Sequence, residues 1–414
     1  MTRAVILAAT PDSLTVVGGL PLAVRAVLTL DRAGFEAVGV VAGAQEPALR
    51  DALGRRGLTD RILWLSGSHD AAALADGQPV LVVAGDVLFD VTTLAPLAAH
   101  AAESRRTVRG AAPGSSLRAA VCPGAVLPAL LAELDGGQQS LAAALPRAGQ
   151  LDSPAVPVGP GLFVPLDATH PAPALERALG DDLARHTAAK DSYLAVLIDR
   201  RLSRPLTCLL LRWPVTPAQV TLASIAVGIL GAAGLATVSY TGRLAGVLAL
   251  IASTVLDCVD GEIARARFEQ SAAGAWLDVM GDYLVHLAVF TGLGIGLYRQ
   301  GLPPGGAWAA VALVAAVLAT TLTLHRLFVG PALGQGGDLH WSGDGNGLRE
   351  SPVAAVLEKL ASRDYTYLLL ILALLGRLEW FLYAAAVGAW VFVGIVLAYW
   401  AYQRRAVARS VVTP

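Results

Sequence analysis

Short apolar runs alternate with polar, helix-like stretches in the first half of the chain. The runs have strand length and include AVILAA from Ala4, VGVVAG from Val38 and VLVVAGD from Val80. The segments between them are rich in Ala and carry Arg, Glu and Asp. This alternation is typical of a parallel sheet covered by helices. The pattern predicts a Rossmann-like α/β domain over residues 1–188.

Beyond Pro217 the apolar runs lengthen to the size of membrane-spanning helices. Six such helices are predicted, at roughly 218–240, 242–264, 276–298, 306–330, 354–376 and 380–402. The fifth carries Glu358, Lys359, Arg363 and Asp364 in its first half, so we expect it to begin in the membrane interface. The sequence therefore predicts an all-α, six-helix transmembrane domain over residues 189–414.

The segment 189–212 connects the two predicted domains and mixes Leu, Val and Ile with Lys and Arg. That mixture predicts an amphipathic helix lying on the membrane surface, and the alternative is a plain covalent linker. Basic residues concentrate on one side of the predicted spans, around Arg201–Arg212, Arg265–Arg267 and Arg404–Arg409. By the positive-inside rule we expect a multi-pass protein of the inner (cytoplasmic) membrane, with both termini in the cytoplasm.

Composition agrees with a membrane protein. Of 414 residues, 55% are hydrophobic and only 15% are charged, whereas soluble domains carry about a quarter charged residues. The net charge of -1, with no basic run, excludes nucleic acid as an expected partner. The three cysteines are far apart and have no metal-ligand spacing, so reduced thiols are expected.

Four aspartates lie in or beside the second and third predicted spans, namely Asp257, Asp260, Asp278 and Asp282. One aspartate at the bilayer centre costs about 2.5–3.5 kcal/mol on insertion scales, so the group needs compensation. Residues three and four apart share a helix face, which brings the four carboxylates into two facing stripes. Oxygen ligands suit hard cations, and the pattern predicts a pair of divalent ions, Mg²⁺ or Mn²⁺.

Small residues and one arginine surround these aspartates. Gly261, Ala264 and Gly274 leave room for a ligand to approach the helix backbone, and Arg265 carries a guanidinium suited to phosphate. Metals beside a phosphate site at membrane depth favour phosphoryl chemistry on a substrate that is partly resident in the membrane.

These residues match the spacing D-x-x-D-G-x-x-A-R-x(8)-G-x-x-x-D-x-x-x-D, which is the signature of the CDP-alcohol phosphotransferase family. The resemblance implies a membrane enzyme of phospholipid-type biosynthesis that forms homodimers. Such an enzyme moves a phospho-alcohol from a CDP-alcohol, either CDP-diacylglycerol or a CDP-polyol, to an acceptor hydroxyl and releases CMP. The acceptor is a hydroxyl compound such as a phosphorylated polyol, and its identity stays open.

The same resemblance implies a role for each matching residue. Asp257, Asp260 and Asp278 would hold the metals, with Asp282 completing the site and acting as the base toward the acceptor proton. Asp278 and Asp282 are thus the catalytic candidates. The residues expected near CMP and its metals are Gly261, Ala264, Arg265, Gly274, Thr221 and Asp257. The segment WPVTPAQVT from Trp213 also resembles the family, although Ala218 stands where members often have Asn.

The first half resembles sugar-phosphate and polyol-phosphate nucleotidyltransferases, because Asp86 matches their Gly-Asp metal ligand after a strand. Residues Thr10–Ser13 replace the Gly-rich, basic loop that would cradle phosphates. We therefore expect a nucleotidyltransferase-like domain without transfer activity, which serves as a scaffold or in dimerisation. Across both halves the chain is similar to fused inositol-phosphate cytidylyltransferase and di-inositol-phosphate-phosphate synthase proteins.

Two other functions remain open: a cation-coupled transporter that uses the intramembrane aspartates, and a non-catalytic membrane scaffold. His286 follows Asp282 by one helical turn and is interpreted as a packing residue. A further polar cluster is expected to bind either an acceptor phosphate or lipid headgroups. It consists of His325, Arg326, Lys359, Arg363 and Asp364.

Overall fold

The computed structural model describes residues 3–66, 68–104, 106–111, 117–134, 140–150, 153–188, 195–302, 304–324, 326 and 364–412. The chain divides into two compact units. The first is Met1–His186 with Ala266–Phe268, and the second is Thr187–Arg265 with Glu269–Pro414. The functional boundaries of 1–188 and 189–414 stay predictions.

The first part of the chain alternates strands and helices. Its strands are β1 (Arg3–Leu7), β2 (Val16–Val17), β3 (Leu20–Pro21), β4 (Ala37–Val41), β5 (Ile62–Trp64), β6 (Val80–Ala84), β7 (Val87–Phe89), β8 (Val108–Ala111), β9 (Ala119–Cys122), β10 (Ala155–Pro157) and β11 (Phe163–Pro165). Its helices are α1 (Leu22–Arg32), α2 (Glu46–Gly54), α3 (Ser68–Ala75), α4 (Ala95–Ser104), α5 (Leu127–Leu134), α6 (Leu141–Arg147) and α7 (Ala172–Ala188). The expected α/β class is confirmed.

The main sheet has seven strands in the order β10-β8-β9-β6-β1-β4-β5. The strands β6, β1, β4 and β5 are parallel, and Ile6 pairs with Val40 on one side and Val83 on the other. Strand β9, in the interior of the sheet, runs antiparallel to both β6 and β8, so the expectation of a parallel sheet is wrong for this strand. The connection from β8 to β9 is too short for the crossover of a dozen or more residues that parallel strands need.

Both faces of this sheet are buried. Successive side chains of a strand point to opposite faces, so neighbouring residues of one strand report on both sides. In β1, Ala4 and Ile6 belong to one apolar cluster and Val5 belongs to the other. All three side chains have no exposed surface. This burial explains why the strands consist of continuous apolar runs instead of alternating polar and apolar residues.

The second part is helical. A π-helical turn, Ala195–Asp199, leads into α8 (Arg200–Leu210), and the following helices are α9 (Pro217–Leu235), α10 (Tyr240–Arg267), α11 (Ala272–Arg299), α12 (Pro304–Leu324), α13 (Tyr365–Leu374) and α14 (Leu378–Val412). Residues 195–210 of the predicted surface helix are thus helical, and residues 189–194 lie outside the described part of the chain.

Within the described ranges, five helices are long and apolar enough to cross a membrane. They are Pro217–Leu235, Tyr240–Arg267, Ala272–Arg299, Gly305–Thr323 and Leu378–Ala398. The chain is therefore a multi-pass membrane protein. The predicted span 354–376 is described only from residue 364 onward, where α13 has 10 residues and is too short to cross alone.

Helix α9 starts where its sequence provides a cap. The Thr216 side chain accepts a hydrogen bond from the backbone N–H of Gln219, and the Gln219 side chain accepts one from the backbone N–H of Thr216. Pro217 occupies the first turn. Farther along, α9 and α10 approach closely through glycines. A Cβ atom on Gly246 would lie 2.6 Å from the carbonyl oxygen of Gly231. Small residues at such contacts let membrane helices pack backbone to backbone.

Candidate metal centre

The end of α10 and the beginning of α11 bring three of the four predicted aspartates together. Carboxylate oxygens of Asp257, Asp278 and Asp282 all lie within 4.8 Å of one another, and each residue is half-buried. Asp278 and Asp282 are four residues apart on α11 and share one face. Asp257 reaches the group from α10.

This arrangement fits a divalent cation. Oxygen ligands of Mg²⁺ lie about 2.0–2.1 Å from the ion, so two ligands of one ion are at most about 4.2 Å apart. Oxygens within 4.8 Å reach that range with small side-chain movements. Three carboxylates also repel one another in an apolar bundle unless a cation lies among them. An ion held here would supply charge neutralisation for an adjacent phosphate.

Asp260 is not in that group of three, and a hydroxyl of α9 contacts it. The Thr221 hydroxyl lies 2.5 Å from Oδ2 of the buried Asp260 and 3.1 Å from the carbonyl oxygen of Pro217. A hydroxyl donor satisfies part of the hydrogen-bonding need of a buried carboxylate. Thr221 was expected near CMP, and the structure places it against a predicted metal ligand.

A second hydroxyl from α9 was missed in the sequence. The buried Ser224 hydroxyl lies 3.5 Å from Oδ1 of Asp257, and the backbone carbonyl of Ser224 accepts a 2.8 Å hydrogen bond from Ser253. Ser224 follows Thr221 by three residues, which places both hydroxyls on one face of α9. That three-residue spacing is the feature of the sequence from which the second hydroxyl could have been predicted.

The predicted phosphate-contact residues surround the end of α10. A Cβ atom on Gly261 would lie 3.1 Å from Nη1 of Arg265, so the glycine leaves space for the guanidinium. Ala264 lies between Gly261 and Arg265 in sequence and is half-buried. Gly274 lies in the first turn of α11, where its N–H donates a 3.1 Å hydrogen bond to the Ser271 hydroxyl oxygen, the N-terminal cap.

Residues 214–396 match the sequence model of the CDP-alcohol phosphatidyltransferase family. The range contains every member of the acidic signature. The C-terminal part of the chain is therefore similar to the CDP-alcohol phosphatidyltransferase family over residues 214–396.

A curated relative is similar to a shorter piece of the chain. A Rubrobacter xylanophilus protein named bifunctional IPC transferase and DIPP synthase is 44% identical over 87 residues. The match covers 21% of this chain and 19% of that protein. The chain thus spans about a fifth of the length of the relative that it matches.

His286 follows Asp282 by one helical turn and makes packing contacts. Its Nδ1 atom is 2.7 Å from the backbone carbonyl oxygen of Asp282, and its ring centroid is 5.4 Å from that of Tyr365. His325, Lys359 and Arg363 lie outside the described residues. The predicted acceptor-phosphate cluster therefore stays a prediction.

The first unit contains a separate cleft at the carboxyl ends of β1, β4 and β6, lined in part by Leu7, Val41 and Asp86. The buried Asp86 forms an ion pair with Arg118. Burial raises the pKa of Asp86, although Arg118 acts to lower it. Its Oδ1 atom is buried, with no hydrogen-bond partner among the residues that the structure describes.

The segment that replaces the phosphate loop is a compact turn. Residues Pro11–Leu14 form a 3-10 helix, and the buried Ser13 hydroxyl donates a 2.9 Å hydrogen bond to the carbonyl oxygen of Ala8. The turn is therefore closed on the end of β1. These residues form a compact 3-10 turn in place of the Gly-rich loop that cradles phosphate.

Proposed function

We propose that the phosphatidyltransferase domain transfers a phospho-alcohol from a CDP-alcohol to an acceptor hydroxyl, releases CMP and depends on Mg²⁺ or Mn²⁺. The observation that carries this proposal is the convergence of Asp257, Asp278 and Asp282 within 4.8 Å inside the family domain. The family match supports the reaction class. The acidic group supports the dependence on a divalent ion.

The roles of the residues follow from their chemistry. Asp257, Asp260, Asp278 and Asp282 provide only oxygen ligands, which hard cations prefer. Arg265 beside Gly261 is a donor for phosphate oxygens, and Ala264 and Gly274 leave space for the CMP moiety. Bound cations neutralise charge on the pyrophosphate. Thr221 supports the nucleotide site through its contact with Asp260.

Asp282 is proposed as the general base, accepting the acceptor proton on a carboxylate oxygen. An Asp282→Asn variant keeps the shape but cannot accept that proton, and general-base catalysis contributes about 10²–10⁴-fold. We expect turnover to fall by at least about 100-fold while Mn²⁺ and the CDP-alcohol still bind. A variant with bound donor and full turnover would remove this role.

The donor is proposed to be either a CDP-polyol or CDP-diacylglycerol, and the acceptor a hydroxyl compound such as a phosphorylated polyol. The relative from Rubrobacter carries the words IPC transferase and DIPP synthase in its name, which favours the CDP-polyol. The identity covers 87 residues only, so both donors belong in the test.

The experiment is an assay of CMP release from the purified protein in lipid nanodiscs. Labelled CDP-polyols and CDP-diacylglycerol are supplied with Mn²⁺ or Mg²⁺, each with and without a panel of hydroxyl acceptors. We expect CMP release that requires the acceptor and stops with EDTA. Asp278→Asn should abolish it, whereas Glu379→Gln, the same change outside the acidic group, should not.

The assay also separates the rival functions. A transporter would move labelled cations or solutes across vesicles without releasing CMP, and a scaffold would do neither. Absence of CMP with every donor and acceptor pair, in protein that is folded and metal-loaded, would contradict the enzymatic proposal.

We also propose that the first unit lacks nucleotidyl-transfer activity. Two contacts support this: Arg118 pairs with Asp86, the residue that would hold a metal, and Ser13 closes the turn that replaces the phosphate loop. A guanidinium paired with a carboxylate competes with a cation for the same oxygens. The unit would then serve as a scaffold or in dimerisation.

Incubation of the full chain with labelled CTP and polyol phosphates tests this second proposal. We expect no pyrophosphate release above the level given by Asp86→Asn. Release that disappears in Asp86→Asn would contradict it.

We further propose an inner-membrane protein with both termini in the cytoplasm, forming a homodimer. The distribution of Arg and Lys around the predicted spans supports the orientation. The dimer rests on the family resemblance alone, and light scattering of the nanodisc-embedded protein measures it.

A further inference from the structure

Glu262 is a buried carboxylate that has no role in the proposed reaction. It follows Gly261 in α10, is 8% exposed, and lies two residues from Asp260. A buried, ionised carboxylate is retained only where donors compensate for its lost hydration. The three donors that the structure shows all belong to α8.

The contacts between Glu262 and α8 form one continuous row. Nη1 of Arg200 donates a 2.8 Å hydrogen bond to Oε1, and the Ser203 hydroxyl donates a 2.7 Å hydrogen bond to the same oxygen. The Thr207 hydroxyl donates to Oε2. The three donors are three and four residues apart, so they lie on one face of α8. A single carboxylate thus fixes both the rotation and the position of that helix.

The opposite face of α8 is apolar and basic. Leu202 and Leu209 are about half exposed, and Arg201 is exposed, whereas Ser203 and Thr207 are buried. This helix therefore has its polar hydroxyls inside and its leucines outside. A face of leucines and arginines suits the membrane interface, and Glu262 keeps that face outward.

Helical geometry relates Glu262 to the aspartates. Two residues correspond to about 200° around an α-helix, so Glu262 and Asp260 lie on opposite sides of α10. Thr221 of α9 contacts α10 on the Asp260 side, and α8 contacts it on the Glu262 side. The turn of α10 that carries Asp260 and Gly261 is thus held from both sides.

A second contact fixes the beginning of α8. The Tyr367 hydroxyl of α13 donates to the carboxylate of the buried Asp199, which directly precedes α8. Helix α8 is therefore tied at its start to α13 and along its length to α10. Neither contact involves the acidic group of Asp257, Asp278 and Asp282.

We propose that Glu262 is a positioning residue: by locking α8 against α10, it holds the turn with Asp260 and Gly261 in the geometry that binds the metal-bound CDP-alcohol. This inference rests on the proposed function. It predicts that release of α8 weakens metal and donor binding much more than it slows the chemical step, because the proposed base lies on α11.

The test compares Glu262→Gln with the wild-type protein in nanodiscs. We expect the Mn²⁺ concentration for half-saturation, measured directly by Mn²⁺ paramagnetic resonance, to rise about 10-fold, the usual minimum for a lost supporting contact. The KM for the CDP-alcohol should rise by a similar factor, and kcat at saturating Mn²⁺ should stay within about threefold of wild type.

A matched pair of variants controls for loss of charge. Arg200→Gln removes a donor to Glu262 and should reproduce part of the effect, whereas Arg201→Gln removes the neighbouring, exposed charge and should have none. Thr207→Val removes one donor with little change of shape, and it keeps the proposal testable should Glu262→Gln fail to fold.

A spin label on Cys208, which is exposed on α8, reports the mobility of that helix independently of enzymatic activity. Label mobility should increase in Glu262→Gln and Thr207→Val and stay unchanged in Arg201→Gln. Unchanged mobility in Glu262→Gln would overturn the proposal. So would increased mobility with unaltered Mn²⁺ binding and KM. If no variant or wild type releases CMP, the proposed function fails, while label mobility and Mn²⁺ binding still decide the role of Glu262.

Discussion

At the scale of single residues, each buried carboxylate of the membrane domain is matched to a nearby donor. Asp260 has the Thr221 hydroxyl at 2.5 Å, and Glu262 has three donors from α8. An apolar bundle provides no water to replace such donors. Removal of one donor should therefore destabilise the buried carboxylate, because no water replaces the lost hydrogen bond.

Thr221→Val tests this at Asp260. The substitution keeps the shape and removes the hydroxyl, so the buried carboxylate loses a partner, a change that costs about 1–3 kcal/mol. We expect Mn²⁺ to bind about 10-fold more weakly, because an unsupported ligand carboxylate turns away from its place. A titration followed by Mn²⁺ paramagnetic resonance measures the Mn²⁺ affinity of each variant. Thr221→Ser retains the hydroxyl and should bind Mn²⁺ as wild type does, and equal weakening in both variants would contradict the explanation.

The sequence predicts some of these residues and not others for a physical reason. Asp257, Asp278 and Asp282 meet because fixed spacings on two helices joined by a short connection leave few other arrangements. Glu262 meets residues that precede it by 55 to 62 positions, in a segment whose pattern indicated only a membrane surface. Periodicity along one helix carries no information about such a partner.

The ion pair between Asp86 and Arg118 makes the stability of the first unit depend on pH. Burial raises the pKa of Asp86 above its ordinary value of 3.8, and Arg118 acts to lower it. Because the folded pKa is raised, the folded state holds the proton more tightly than the unfolded state. The unfolding free energy therefore falls as pH rises from the unfolded pKa to the folded pKa, and it is constant above.

Arg118→Met removes the opposing charge, so the pKa of Asp86 rises further and the loss of stability extends to higher pH. We expect the variant to lose about 3 kcal/mol near pH 7.5, as for a broken buried ion pair, and clearly less near pH 4.5. Hydrogen exchange of the peptides that cover β6 and β9 measures the local unfolding free energy. Arg109→Met, on the neighbouring strand, should show a loss that does not change with pH.

At the scale of elements, the close contact of α9 with α10 determines how near Thr221 and Ser224 come to the aspartates. Gly231 and Gly246 form that contact, where no space remains for a side chain. Membrane helices gain little from burying apolar side chains against one another, so close packing at small residues contributes much of their association.

Gly246→Ala should therefore separate the two helices. The added Cβ would meet the backbone oxygen of Gly231 at 2.6 Å, and backbone cannot move aside as a side chain can. We expect a loss of about 1–3 kcal/mol, typical of overpacking, as a lower thermal unfolding temperature in detergent. Gly388→Ala is the control, since a Cβ there meets nothing within 4 Å. An equal unfolding temperature in both variants would show that this contact tolerates a methyl group.

The elements also show where pattern alone is insufficient. The apolar runs located β1, β4 and β6 correctly, because strands buried on both faces are apolar throughout. The same runs do not specify direction. Strand β9 is as buried as β6, yet it is antiparallel because of the short connection that precedes it.

At the scale of the whole molecule, the number of spans determines which side of the membrane each chain end occupies. The described ranges contain five candidate spans, and the segment 354–376 is the predicted sixth. Six crossings place residue 414 on the same side as the first unit, whereas five crossings place it on the opposite side. The basic residues after the last span favour the first arrangement.

Alkaline phosphatase fused after residue 414 decides between these arrangements, because that enzyme is active only outside the cytoplasm. We expect an inactive C-terminal fusion and an active fusion in the connection between α11 and α12, near residue 301. A reporter at the N-terminus that fluoresces only in the cytoplasm should be bright. An active C-terminal phosphatase beside a bright N-terminal reporter would show that the segment 354–376 does not cross. The acidic group itself would keep its place in either case, since the number of crossings before α11 is the same.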